Sequence, residues 1–181
     1  MQWWLICAII GIVCILGYGA YWYILLPHFA PPSYHDWRDQ TNTQIVIGSA
    51  TLCARVAVSP TTQQKGLSGV SSLGPDSGML FVFPKAGKFS FWMKGMLIPL
   101  DFIWMSNERI VDVTADVPPP QSMFDLHIIR PSQNADMVLE VPSGTISRIH
   151  AQIGDVVRID AHHNDCNPAI VSATSSDSIS P

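Results

Sequence analysis

The residues with the strongest claim to chemistry lie in one stretch, 78–105, which reads GMLFVFPKAGKFSFWMKGMLIPLDFIWM. Two β-rich runs, 88–94 and 100–105, flank the five-residue loop Gly95–Pro99, short enough to predict an antiparallel hairpin. Successive strand side chains point to opposite faces, so the apolar pattern sets the register. Pairing Lys94 with Asp101, Trp92 with Ile103 and Phe91 with Trp104 collects Phe89, Phe91, Met93, Leu100, Phe102 and Trp104 on one apolar face. That face is the expected core side. The opposite face carries Lys88, Ser90, Trp92, Lys94, Asp101, Ile103 and Met105. There Trp92 offers a stacking platform and Asp101 a polar anchor, so Ser90, Trp92, Lys94 and Asp101 form the candidate ligand-binding face. The structural alternative is a solvated face crossed by a Lys94–Asp101 ion pair, worth under about 1 kcal/mol if exposed.

Asp101 has a further ambiguity. An acid in the middle of IPLDFIW sits where a strand favours apolar or β-branched side chains. Either its carboxylate accepts backbone N–H groups of the neighbouring 95–99 loop and pairs with Lys94, or it faces a ligand. The structural role is the expected one.

Other chemistry finds little support. There is no GxSxG, and Cys53, in TLCARVAV, has no His nearby in sequence and reads as a small strand residue. An acid–base enzyme would have to combine Asp101 with Glu140 or Asp155, carboxylates far apart in sequence. His162, His163, Asp165 and Cys166 crowd together without a metal-site spacing, and His127 and His150 stand alone. No catalytic residue, cofactor or metal is assigned from the sequence.

The elements that must position these residues are mostly strands. Only two Glu occur, Glu108 and Glu140, and no stretch sustains a helical apolar period for three turns. Short β-rich runs recur at 44–48, 51–58, 78–83, 88–94, 100–105, 110–115, 137–141 and 156–161, separated by turn signals such as GlyPro at 74–75 and GlyAsp at 154–155. Thr61-Thr62 could cap a short helix over 63–67, and Ser143 one over 145–150. The fold class is therefore mostly β, a compact sandwich or barrel with one or two short helices.

One segment stands outside that domain. Of 181 residues 48% are hydrophobic and only 13% charged, and the apolar excess is concentrated in 3–26, WWLICAIIGIVCILGYGAYWYILL, which has no charged side chain. At about 1.5 Å per residue a helix of that length crosses a bilayer core of about 30 Å. The run is too long for a signal-peptide core, lacks a basic lead and is followed by no small-x-small cleavage site, so a retained transmembrane helix over 1–30 is expected. Trp3, Trp4, Tyr21, Trp22 and Tyr23 mark its ends. Lys and Arg counts beside the span do not decide its orientation; the short head before it favours a signal-anchor with the domain outside the cytoplasm. Residues 31–43 read as a Pro-rich stalk, 44–161 as the β-domain and 162–181, ending SATSSDSISP, as a disordered polar tail. If the domain is exported, Cys53 and Cys166 could pair, although Cys166 falls in that tail. A net charge of −4 without a Lys/Arg cluster excludes a basic nucleic-acid binder. The partners left are the membrane and an unknown ligand or envelope component, with packing onto another membrane protein as the assembly alternative.

KGLSG at 65–69, GMLFVF at 78–83, FWMK at 91–94, IPLDFIW at 98–104, VLEV at 138–141 with Gly144, and IGD at 153–155 occur in the order and spacing of one family. Over roughly 51–161 the chain resembles domain of unknown function family 192, an uncharacterised prokaryotic group, often membrane-anchored or exported. The resemblance implies a compact jelly-roll-like β fold and no established activity. It is carried by Gly66, Leu67, Gly78, Met79, Leu80, Phe81, Phe83, Trp92, Met93, Lys94, Pro99, Asp101, Glu140, Gly144, Gly154 and Asp155. It departs at Val70, where the family often has Arg, and at Gly95, where it usually has Asn or Asp. Both departures remove polar groups beside the candidate face.

Overall fold

A computed structural model describes residues 38–39, 41–122, 128–160 and 166–173. The expected membrane span falls outside these residues; among those described, no helix is long and apolar enough to cross a membrane. The strands are β1 (Asn42–Ile47), β2 (Ala50–Ala57), β3 (Val70–Leu73), β4 (Ser77–Gly87), β5 (Phe91–Trp92), β6 (Leu100–Ser106), β7 (Arg109–Val117), β8 (Ile128–Ile129), β9 (Ala135–Pro142), β10 (Val157–Asp160) and β11 (Ile170–Ser172). Two short helices are α1 (Pro60–Lys65) and α2 (Thr145–Ile149).

Seven strands form one sheet in the order β10-β1-β2-β4-β9-β6-β7, antiparallel except for the parallel pair β2–β4. The sheet curls into a half-barrel whose outer strands meet at one end, where Arg109 bridges Val156 and Val157 donates to the Glu108 carbonyl. The fold is thus mostly β, as expected. The jelly roll implied by resemblance is replaced by one curled mixed sheet, because β2 reaches β4 through α1 and β3 and arrives parallel to it.

The alternation along the central strands builds two cores. Leu52, Ala54, Val56, Leu80, Leu139, Val141, Ile103 and Met105 point into the curl. Met79, Phe81, Val138, Phe102 and Trp104 point the other way, onto a second core closed by Leu67, Val70, Met93 and Met96. Strands β4, β6 and β9 are consequently buried on both faces, which explains their continuous apolar runs. Trp104 is fully buried, and its indole N–H donates to Thr114 Oγ1 at 3.1 Å.

The expected hairpin is not formed. β6 lies between β7 and β9, while only Phe91–Trp92 of the 88–94 run is a strand, and it pairs with β8. A strand buried on both faces needs two long neighbours, which a run with one solvent-facing side cannot supply. The apolar parity nevertheless holds: Met93, Leu100, Phe102 and Trp104 are buried in one core, with Phe91 packed against it.

The helices occupy the expected places with different caps. Ser59, rather than Thr61 or Thr62, caps α1 by accepting the Thr62 N–H. Gly144 stands at the N-cap of α2 with no side-chain hydrogen bond, and Ser143 donates instead to Asp116. Two expected boundaries also move. Asp39, placed in the stalk, accepts the Val58 and Ser59 amides and is joined to the domain. Residues 166–173, placed in a disordered tail, are ordered: Cys166 is disulfide-bonded to Cys53, and β11 pairs antiparallel with β3. Backbone pairing and a covalent bond fix this segment where its polar side chains would not.

Candidate functional site

Asp101 and Trp92, expected on one face, are separated. Asp101 is 0% exposed and looks into the curled side of the sheet, whereas Trp92 is 48% exposed on the β5–β8 ribbon. The Asp101 carboxylate accepts the Asp116 N–H at 2.8 Å and the Ile146 N–H at 2.9 Å. The second bond serves the first turn of α2, which Gly144 leaves without a side-chain cap. Lys94 is exposed and does not reach this buried acid, so the expected cross-strand ion pair is absent. Asp101 ties β6 to the end of β7 and the start of α2. Replacing it with Asn keeps its shape but turns an acceptor into an amide beside an N–H. Asp101→Asn should cost about 1.5–3 kcal/mol and lower the melting midpoint by several degrees, read by thermal denaturation.

The other three candidate residues come together at a cleft of about 240 Å³ on the second core. Ser90, Trp92 and Lys94 line it with Phe81, Phe83, Phe91 and Met96, and α1 contributes Gln63, Gln64, Lys65 and the following Gly66. The aromatic wall is rigid: Phe91 meets Phe81 edge-on at 4.9 Å and Trp104 edge-on at 5.4 Å, and Phe83 stacks on Phe89. Gln63 holds α1 against the sheet by donating to the Val82 carbonyl at 2.9 Å. Ser90 is tied to the neighbouring ribbon strand, its hydroxyl accepting from Arg130 Nε at 2.7 Å.

The cleft also contains a residue that sequence reading raised only as a partner for Asp101. Glu140 lines it from β9, flanked across the sheet by Met79 and Phe102. It is 1% exposed, and its buried Oε2 has no hydrogen-bond partner. Burial raises its pKa to about 8, so near neutral pH it is a protonated carboxylic acid able to donate. Gly78 permits the close approach that places it: a Cβ there would lie 2.5 Å from the Glu140 carbonyl oxygen. One signal was available, since Glu140 in VLEV is as anomalous as Asp101 in IPLDFIW. Lys65 and the two glutamines carried none; only the fold brings them here.

The two-carboxylate arrangement is not assembled. Asp101 lies opposite Val141 and Phe102 opposite Glu140, so the two acids leave the sheet on opposite faces. Asp155 belongs to another cleft, with His150 and Arg158.

The family model DUF192, described as "Uncharacterized ACR", matches residues 43–159. The chain belongs to the DUF192 family. Two solved structures are similar to this family member. One, a Sinorhizobium meliloti 1021 protein named provisionally as a transcription regulator, is 25% identical, with a TM-score of 0.59, and covers 73% of this chain and 99% of its own. The other, a Novosphingobium aromaticivorans protein of unknown function, is 26% identical, with a TM-score of 0.57, and covers 65% of this chain and 83% of its own. No curated protein gives a match. Val70 and Gly95, the two positions read from the sequence as departures from the family's pattern, are neighbours in space. Val70 is buried beside Leu67, and Gly95 accepts the Gly69 N–H at 2.9 Å, next to the cleft-lining Gly66 and Met96.

Proposed function

We propose that this DUF192 member is a membrane-anchored, extracytoplasmic domain that binds a small ligand in the cleft of Ser90, Trp92 and Lys94, with Glu140 in place of Asp101 as its polar anchor. One observation carries the reading: a buried carboxyl with an unpartnered oxygen faces an aromatic-walled cleft. An unsatisfied buried polar group costs about 1–3 kcal/mol, and a ligand acceptor would remove that cost. The apolar run at 3–26 supports the anchor, and the Cys53–Cys166 bond supports an oxidising compartment. Protease added to spheroplasts should digest the domain; digestion only after the spheroplasts are lysed would place it in the cytoplasm.

The binding test is a thermal-shift and ligand-observed NMR screen of the full chain in detergent against small metabolites and envelope extracts. At least one ligand should bind the parent, lose binding with Trp92→Ala and keep it with Ile153→Ala, an exposed site outside the cleft-lining residues. Binding indifferent to Trp92→Ala would overturn the cleft.

The raised pKa of Glu140 favours one second reading, proton transfer to a bound substrate by Glu140 alone. Turnover abolished by Glu140→Gln with binding retained would establish it over simple binding.

A further inference from the structure

We infer that the cleft is built for a small organic anion with an apolar body, its acidic group held at the rim by Lys65 and Lys94 and its far end accepting a hydrogen bond from Glu140. This rests on the ligand-binding reading and adds the chemical class.

Charge and shape point to this class. The chain carries a net charge of −4, yet Glu140 is the sole acid among the cleft-lining residues, against two lysines. Burial keeps the Glu140 carboxyl protonated at neutral pH, so it cancels none of that positive charge. The cleft therefore presents cations at the rim, aromatic rings on the walls and a neutral donor below. A cationic ligand would meet like charge. A neutral apolar one would leave both the lysines and Glu140 unused. The volume is below the usual range for drug-sized ligands, about 300–1,000 Å³, which restricts the body to roughly one ring. Lys65 and Lys94 are exposed and can be changed without disturbing the core.

The test uses three probes of one shape: benzoate, benzamide and benzylammonium. Each is titrated into the full chain in detergent at pH 7 and low salt and followed by ligand-observed NMR. Benzoate should bind about fivefold tighter than benzamide, as two partly solvated ion pairs allow, and benzylammonium weakest. The Lys65→Gln, Lys94→Gln double variant should reduce benzoate to the benzamide level. High salt should do the same to the parent. A second pair probes the far end. 4-Acetylbenzoate, which carries an acceptor, should outbind 4-isopropylbenzoate, and Glu140→Leu should erase the difference. Benzamide matching benzoate in a Trp92-dependent manner would overturn the anion assignment and leave the binding reading standing. Failure of all three probes to bind would overturn the anion assignment and leave the binding reading to the wider screen.

Discussion

Removing the Cys53–Cys166 bond should lower the stability of the domain by about 4 kcal/mol, a fall in melting midpoint on the order of 15 °C. The cysteines are 113 residues apart in sequence, so the bond closes nearly the whole domain into one loop and removes much freedom from the unfolded chain. It also holds a segment with little else to keep it. Ile170 is partly buried against the second core, but Val171 is 56% exposed. What remains is polar: the pairing with β3, Gly74 N–H to the Ala169 carbonyl, Ala169 N–H to Ser77 Oγ, Ala173 N–H to the Gly69 carbonyl, and bonds from Asn42 and Ser71 to the Cys166 and Val171 carbonyls. Once released, β11 should leave β3, and the 66–70 loop beside the cleft should lose its outer support. Thermal denaturation with and without reductant measures the first effect, and hydrogen exchange at the Ala169, Val171 and Ala173 amides measures the second. A Cys53→Ala, Cys166→Ala variant should start at the lower midpoint and ignore reductant, which separates this bond from Cys7 and Cys14. An unchanged midpoint in that variant would refute the stapling role.

The same segment shows what was legible in the sequence and what was not. Composition described 162–181 by its average, Ser-rich and small, and the average hid Ile170, Val171 and a cysteine whose partner lies over a hundred residues away. Strand existence was readable for 44–48, 51–58, 78–83, 100–105, 110–115, 137–141 and 156–161, because short β-rich runs bounded by turn signals are local features. Pairing was not. The loop 95–99 has the length of a hairpin connection, but Met96 N–H turns back to the Met93 carbonyl and delivers β6 to another sheet, between β9 and β7. The stronger clue was present in β6 itself, apolar on both faces and so in need of two long partners. Face parity survived this error because it depends on the strand and not on its neighbour. For the candidate site, Ser90, Trp92 and Lys94 were grouped as an aromatic and polar side on an otherwise apolar run, and the fold sets them along one cleft. Asp101 was grouped with them only by the assumed register. Its expected structural role stands, with donors from Asp116 and Ile146 instead of the 95–99 loop.

Between about pH 4.5 and pH 7 the stability of Glu140→Gln should rise by about 3 kcal/mol relative to the parent, and below about pH 4.5 the difference between the two should stay constant. The pKa of Glu140 rises from 4.5 in a solvated chain to about 8 in the folded domain, through burial. Below 4.5 the side chain is protonated in both states and contributes no pH dependence. Between 4.5 and 8 the unfolded chain ionises while the folded one does not, so rising pH draws the equilibrium towards unfolding. Above 8 both are ionised and the loss levels off. The Gln side chain cannot titrate, and every other ionisable group is shared, so the difference between the two proteins isolates Glu140. Denaturant unfolding of both at pH 4, 5, 6, 7 and 8 measures it; parallel curves would refute the buried, protonated state. The unpartnered polar atoms that Gln itself buries should shift the difference by a constant amount without changing its slope. Position 140 lies between Met79 and Phe102, where Leu or Met would serve the fold better. Glu140→Leu should therefore be more stable still at pH 7. Carrying an acid there costs stability at neutral pH, and its free Oε2 gives the fold no hydrogen bond in return. A group that weakens the fold while facing a cleft has its use outside the fold. Stability gained by Glu140→Leu together with loss of the 4-acetylbenzoate preference would show that use to be ligand recognition.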